Sequence, residues 1–287
     1  MKSARIEETP PDRGNGIRHL KVGDLDLWTI SDGVLPGHLI SVEGVSEQDT
    51  GAALAESGGP HPINVNMFLL RSNGRYAVFD GGGSDLYAPL GEFWGRLETL
   101  GVSPEQVDAV ILTHMHPDHV GALIGKDGNA RFANAELVVH EDDYSFWTDQ
   151  GNANRSVERV RPWFEIATRA AKPYKNRLRT FCGGEVFRGV TALSLPGHSP
   201  GHTGYMVGSS SDRVLIWGDI MHRQDLQARF PEGIIGFDGS PEQAVETRKR
   251  LLDRLATDGE RVLGMHLHFP GLHHVVRHAG AYRVIPT

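Results

Sequence analysis

With 287 residues, 39% of them hydrophobic and 23% charged, the chain has the make-up of a soluble globular protein with a sizeable core. No apolar run approaches the ~20 residues needed to cross a bilayer, and a formal net charge of −7 argues against a nucleic-acid surface. The single cysteine, Cys182, excludes an intramolecular disulfide and a cysteine-rich zinc module and reads as an inert packing residue, whereas 15 histidines stand out.

Residues 1–18 are polar, contain Pro and Gly, and lack the apolar stretch of a secretory signal. They read as a flexible arm on a cytoplasmic protein, with 19–287 forming one domain. Short segments rich in β-branched and apolar residues follow, separated by turn residues: "LDLWTISDG", "NMFLLRSNGRYAVFDGGG", "VDAVILTH", "AELVVHE", "VTALSLPG", "TGYMVGSSSDRVLIWGD", "RVLGMHLHF" and "YRVIP". The turns around Ser72–Gly74 and Ser209–Asp212 predict hairpins. Helices are predicted at 85–99, within 154–171, and over "PEQAVETRKRLLDRLATDG", which ends near Gly259. "SPEQ" occurs at Ser103–Gln106 and again at Ser240–Gln243. Each copy offers a cap serine, a first-turn proline and a glutamine to close a capping box. Strands alternate with helices in both halves, an α/β pattern. Segment 147–180, locally basic and aromatic, interrupts that rhythm and reads either as a solvated helix pair or as a lid over a site.

"LTHMHPDHVGA" places His114, His116, Asp118 and His119 on a loop between a buried strand and a helix start. Imidazole nitrogens and carboxylate oxygens suit Zn²⁺ and its first-row neighbours. Four such groups this close cannot all reach one ion without backbone strain, so alternate residues are expected to serve two. Further ligands must then come from other strand ends. "LPGHSPGHTG" offers His198 and His202, "VLIWGDIMH" offers Asp219 and His222, and "GMHLHFPGLHH" offers His266, His268, His273 and His274. Alone, Asp219 would read as a capping or turn carboxylate.

This combination resembles the metallo-β-lactamase superfamily of αββα hydrolases, and the likeness runs from about residue 20 to 287. "HLHFPGLHHVVRHAGAYRVIP" resembles most closely the C-terminus of the methyl parathion hydrolase and dinuclear lactonase subgroup. The resemblance implies two mixed sheets flanked by helices and a dinuclear centre. One metal would be held by His114, His116 and His198, the other by Asp118, His119 and His266, with Asp219 bridging. The register before "x-x-Phe-Pro-Gly" selects His266 over His268. Asp80 in "YAVFDGGG" and His202 would support ligands from behind. Zn²⁺ is the first expectation, with Mn²⁺, Fe²⁺ and Co²⁺ also accepted by such donors.

Two ions bridged by Asp219 would lower the pKa of a shared water and supply a bridging hydroxide as nucleophile. Asp118 would be able to take a proton, and His222 to bind the developing oxyanion or protonate the leaving group. Related lactonases carry Tyr at that offset and methyl parathion hydrolase an apolar residue, so His222 departs from both. The bridging aspartate, and a cysteine outside every ligand motif, argue against β-lactamase activity. The expected substrate is a small, fairly apolar lactone or aryl ester, with phosphotriesters as the alternative and a non-catalytic metal sensor or scaffold as the remote one. Phe146, Trp147, Met221 and Phe230, and less directly Met67, are candidate pocket walls. A homodimer is expected by analogy.

Overall fold

The computed structural model describes residues 15–83, 89–209 and 212–287. Most of the expected arm and the first residues of the helix predicted at 85–99 lie outside that range. Strands β1 (Ile17–Val22) and β2 (Leu25–Leu35) open the chain, followed by β3 (Val42–Glu43), helix α1 (Glu47–Ser57), β4 (Ile63–Ser72) and β5 (Arg75–Phe79). Helix α2 (Phe93–Thr99), β6 (Val107–Ile111), α3 (Pro117–Val120), β7 (Glu136–His140), α4 (Glu141–Thr148), α5 (Gln150–Arg155), α6 (Arg161–Ala171) and β8 (Leu178–Phe181) complete the first half. The second half contains β9 (Gly184–Phe187), β10 (Val190–Ser194), β11 (Thr203–Ser209), β12 (Asp212–Ile216), α7 (Gln224–Gln227) and β13 (Ile234–Ile235). It ends with α8 (Pro241–Asp258), β14 (Arg261–Leu263), β15 (Leu272–His278) and β16 (Ala281–Pro286).

Two seven-stranded mixed sheets result, in the orders β1-β2-β4-β5-β6-β7-β8 and β16-β15-β14-β12-β11-β10-β9. Strand β4 shows why they stack. Its residues alternate in direction, so Val65, Met67 and Leu69 join the apolar cluster beneath α2, α4 and α6, while Phe68 and Leu70 enter the layer between the sheets. Strand β12 repeats the pattern: Val214 and Ile216 face the other sheet, and Leu215 packs with Leu251, Leu252 and Leu255 of α8. The layers are helix, sheet, sheet, helix, as the resemblance implies. Met67 is therefore core and not a pocket wall.

Local chemistry accounts for the turns. Asn73 and Gly74 both have positive φ (50° and 77°), the two-residue turn that suits the twist of a hairpin. Strands β11 and β12 pair out to Ser209↔Asp212. The two SPEQ copies behave oppositely. At the first, the Ser103 N–H donates to Gln106 Oε1 (2.8 Å) and the capping box closes, yet only a short 3₁₀ turn follows because "VDAVI" continues as β6. At the second, Ser240 makes no side-chain cap, and α8 is held instead by its apolar face.

Four sequence expectations need correction. Residues 17 and 18, expected in the arm, belong to β1, where Ile17 pairs with Ile30 and Arg18 with Thr29. "RVLGMHLHF" is strand only to Leu263, and β15 forms from "LHHVVRH" instead. Segment 147–180 is not a wholly solvated helix pair: α6 buries Phe164, Ala167 and Ala170 beneath the first sheet, and the segment ends in β8, an edge strand of that sheet. Cys182 is exposed and not packed.

Candidate functional site

Four loops that leave strand ends meet at one place. After β6 the chain runs through His114, His116, Asp118 and His119; between β10 and β11 it presents His198 and His202; after β12 it presents Asp219 and His222; after β14 it presents His266. Backbone bonds tie the loops together, with the Thr203 N–H donating to Thr113 O (2.9 Å) and the Asn66 N–H to Met265 O (2.8 Å). Asn66 also donates through its side-chain amide to Gly264 O (3.1 Å) and Leu267 O (2.8 Å), which grips the loop on either side of His266. That loop folds back on itself, so His268 is carried away from the site and contacts Gln224.

The atoms able to ligate a metal fall into overlapping groups within 4.8 Å of one another: His114, His116 and His198; Asp118, His119 and His266; His114, His119 and Asp219; and His198, Asp219 and His222. Asp219 Oδ2 lies at the middle, 3.7 Å from His114 Nε2, 3.3 Å from His119 Nε2, 3.5 Å from His198 Nε2 and 3.0 Å from His266 Nε2. His266 Nε2 is also 3.5 Å from Asp118 Oδ2. His222 Nε2 is 2.9 Å from Asp219 Oδ2, and its ring stacks on His266 with centroids 4.6 Å apart.

Whether this set fits metal ions can be judged from its unpartnered atoms. Buried polar atoms almost always find a hydrogen-bond partner. Here the Nε2 atoms of His114, His119 and His198, together with Asp219 Oδ1, are buried and have none. A cluster of imidazole nitrogens without donors or acceptors around a shared carboxylate costs free energy unless cations fill it. The residues present fit two divalent ions.

The opposite ring nitrogens are anchored, which aims the free ones inward. His119 Nδ1 meets Asp80 Oδ2 at 2.8 Å, and Asp80 also accepts from the Thr113 N–H and hydroxyl, each at 2.8 Å. Asp80 sits at φ 61°, a left-handed conformation that aspartate tolerates better than bulkier residues. His198 Nδ1 meets Asp238 Oδ1 at 2.9 Å, and His266 Nδ1 meets Asn64 O at 2.9 Å. His202 is not among the converging groups. Its Nδ1 bonds Leu195 O (2.7 Å) and its Nε2 accepts the Asp219 N–H (2.8 Å), which fixes both the tautomer and the backbone of Asp219. Asp238 was not anticipated from sequence, because an acidic residue shortly before a helix carries no mark of the ring it will reach.

Burial sets the charge states. It presses His114, His116 and His198 well below the ordinary histidine value, so they present neutral nitrogens as metal ligands must. Burial opposes it, but the carboxylates of Asp219, Asp118 and Asp80 hold His119 well above that value. Asp219 is pulled well below the usual carboxylate range against its own burial by His119, His266, His222 and His114. Bound cations would take the place of the protons that these carboxylates hold on the imidazoles.

Beside the His116 and His198 side lies a cavity of about 590 Å³ whose walls include Phe146, Trp147, Val160, Trp163 and Phe237. Trp147 and Trp163 pack edge-on against His116, with centroids 5.0 Å and 4.9 Å away. Met221 is not a wall: it is fully buried against the α8 core. Phe230 lines a different cavity, between α1, α7 and β16. Trp163 and Phe237 went unnoticed in the sequence, since only the packing of α6 and of the loop after β13 brings them together.

Comparison with known proteins agrees with this geometry. The N-acyl homoserine lactonase of Bacillus thuringiensis is 26% identical over 232 residues, covering 79% of this chain and 82% of that protein. The N-acyl homoserine lactonase AttM of Agrobacterium fabrum is 23% identical over 185 residues, covering 56% and 65%. Among solved structures, the hydrolase AbOPH of the beta lactamase superfamily is 30% identical, with a TM-score of 0.87 over 95% of this chain and 97% of that one. AidC, a dizinc quorum-quenching lactonase, is 22% identical and shares the fold, with a TM-score of 0.88 over 95% and 97%. The sequence profile of the metallo-beta-lactamase superfamily matches residues 61–266, and the chain belongs to that superfamily.

Proposed function

We propose that the protein is a dinuclear-metal hydrolase of small, fairly apolar lactones or aryl esters, with N-acyl homoserine lactones as the leading substrates. The observation that carries this reading is the junction of the His/Asp cluster with a cavity walled by Phe146, Trp147, Trp163 and Phe237. A polar reacting group and an apolar tail would be held side by side there. The homoserine lactonase relatives support the substrate class.

His114, His116 and His198 would hold one ion, Asp118, His119 and His266 the other, and Asp219 both. Zn²⁺ is the proposed metal, given the nitrogen and oxygen donors. When bound, two such ions supply Lewis acidity and lower the pKa of water. The chain supplies the rest. Asp80 and Asp238 hold the rings of His119 and His198 in place, and the aromatic walls exclude water and orient the acyl or aryl group. Asp118, a fifth exposed at its side chain, can take up a proton at its carboxylate. His222 holds Nε2 against Asp219, and we assign it to binding the developing oxyanion or protonating the leaving group.

Phosphotriesters are the second reading, favoured by an aromatic wall suited to an aryloxy leaving group. The segment from α5 into α6 carries Val157, Val160 and Trp163 over the cavity and is proposed as its cover. Exposed Val34 and Leu39 on neighbouring segments support a homodimer. Among the described residues no helix is long and apolar enough to cross a membrane. A cytoplasmic location is proposed from composition alone. The test is a substrate panel on protein with counted metal: N-acyl homoserine lactones, aryl esters, phosphotriesters and a cephalosporin. Turnover of the lactones first supports the proposal, whereas two bound metals with no turnover of any substrate support a metal sensor.

A further inference from the structure

Outside the converging side chains, one buried carboxylate that no step above uses accepts three hydrogen bonds. Asp143 stands in the first turn of α4 and is completely buried. Its Oδ1 accepts the Met115 N–H at 2.9 Å, between His114 and His116. Its Oδ2 accepts the Gly201 N–H at 2.9 Å and the Ser199 hydroxyl, one residue after His198. The Ser199 oxygen in turn accepts the Trp147 indole N–H at 3.0 Å. One carboxyl group therefore touches both loops that carry the three-histidine set, and through Ser199 it touches a wall of the cavity. The packing leaves no slack: a Cβ on Gly201 would lie 2.6 Å from the Asp143 nitrogen and 2.8 Å from His140 Nδ1.

We propose that Asp143 is a positioning residue that sets the distance between the His114/His116 loop and His198, and so selectively secures the metal held by those three histidines. It makes no hydrogen bond to Asp118, His119 or His266. His119 and His266 are anchored instead by Asp80 and Asn64, and Asn66 grips the loop around His266, all on other elements. The rings that Asp143 governs are close enough for small shifts to matter, with His114 and His198 centroids 4.8 Å apart and His116 and His198 4.6 Å apart. Charge-assisted bonds to backbone N–H groups are among the stronger hydrogen bonds, and a buried carboxylate that accepts three leaves no acceptable substitute for its donors. The Thr203 to Thr113 backbone bond also joins the two loops, but deeper, at the strand ends. Asp143 acts at the loop tips where the ligands are.

The inference rests on the two-metal reading, and its test keeps the two apart, because wild-type protein binding fewer than two metals fails that reading before any variant is compared. The experiment takes zinc-loaded wild type, Asp143→Asn and the milder Ser199→Ala. It measures metal per chain, zinc affinity by chelator competition, and the zinc anomalous signal at each of the two positions in crystals. The expected result is a roughly 10- to 100-fold weaker zinc at the His114/His116/His198 position in Asp143→Asn. A smaller loss at that position is expected in Ser199→Ala, with the other zinc kept in both. Equal loss at both positions, loss beginning at Asp118/His119/His266, or two zincs retained at wild-type affinity in Asp143→Asn would overturn it. Should Asp143→Asn not fold, Ser199→Ala decides alone, since unchanged zinc affinity there contradicts the proposal.

Discussion

His273 allows a quantitative test of how burial governs this histidine-rich chain. It lies on β15 between Val262 of β14 and Pro286 of β16, only 1% exposed, and neither ring nitrogen has a hydrogen-bond partner. Burial pushes the ring from 6.5 down to about 4. The folded state thus keeps it neutral, while the unfolded chain takes up a proton as pH falls below about 6.5. By linkage its contribution to stability is complete above the unfolded value and is lost as pH falls toward the folded one. At about pH 5 the unfolded state gains roughly 2 kcal/mol from protonation, and at about pH 7.5 almost nothing. The perturbation is His273→Leu, which leaves a similar apolar volume and nothing to titrate. Urea unfolding of wild type and variant at the two pH values isolates the ring, since every other histidine is present in both proteins and cancels. The stability of the variant relative to wild type should rise by about 2 kcal/mol between about pH 7.5 and pH 5. A difference that stays constant with pH would refute the reasoning.

Other consequences follow from particular contacts. Asp238→Asn weakens the anchor on His198 Nδ1 and should lower zinc affinity by roughly 10- to 100-fold, measured by chelator competition. Asn66→Ala leaves the carbonyls of Gly264 and Leu267 buried without their donor. It should destabilise the fold by about 2 kcal/mol or more in chemical denaturation. Trp163→Ala opens the cavity wall beside His116 and should raise KM for long-acyl lactones about 10-fold more than for short ones. An equal effect on both would place the acyl tail elsewhere.

The histidines that converge in the cluster were legible in the sequence because each lies in a short polar stretch at the end of an apolar strand, where the αββα likeness places a site. The choice of His266 over His268 came from register, and the structure brings His266 to the cluster for another reason, a loop gripped by Asn66. What escaped was the direction of side chains that only tertiary packing decides. "EDD" at 141–143 contains three acidic residues in a row, of which Glu141 and Asp142 are exposed and Asp143 is buried. Met221 and Phe230 are as apolar as Trp147, yet one fills the core under α8 and the other a distant cavity. Strand β15 was hidden by the histidines within "LHHVVRH", whose polarity masked a buried alternation.

The proposed lactonase with Asp219 between two metal sites is tested most directly by counting metal and measuring N-acyl homoserine lactone hydrolysis in wild type and Asp219→Ala side by side. Two metals per chain and lactone turnover are expected in wild type. In the variant, loss of metal and a fall in kcat/KM greater than the roughly 100-fold that losing a supporting residue costs are expected. Undiminished hydrolysis by Asp219→Ala, or wild-type protein that binds a single metal, would overturn the proposal.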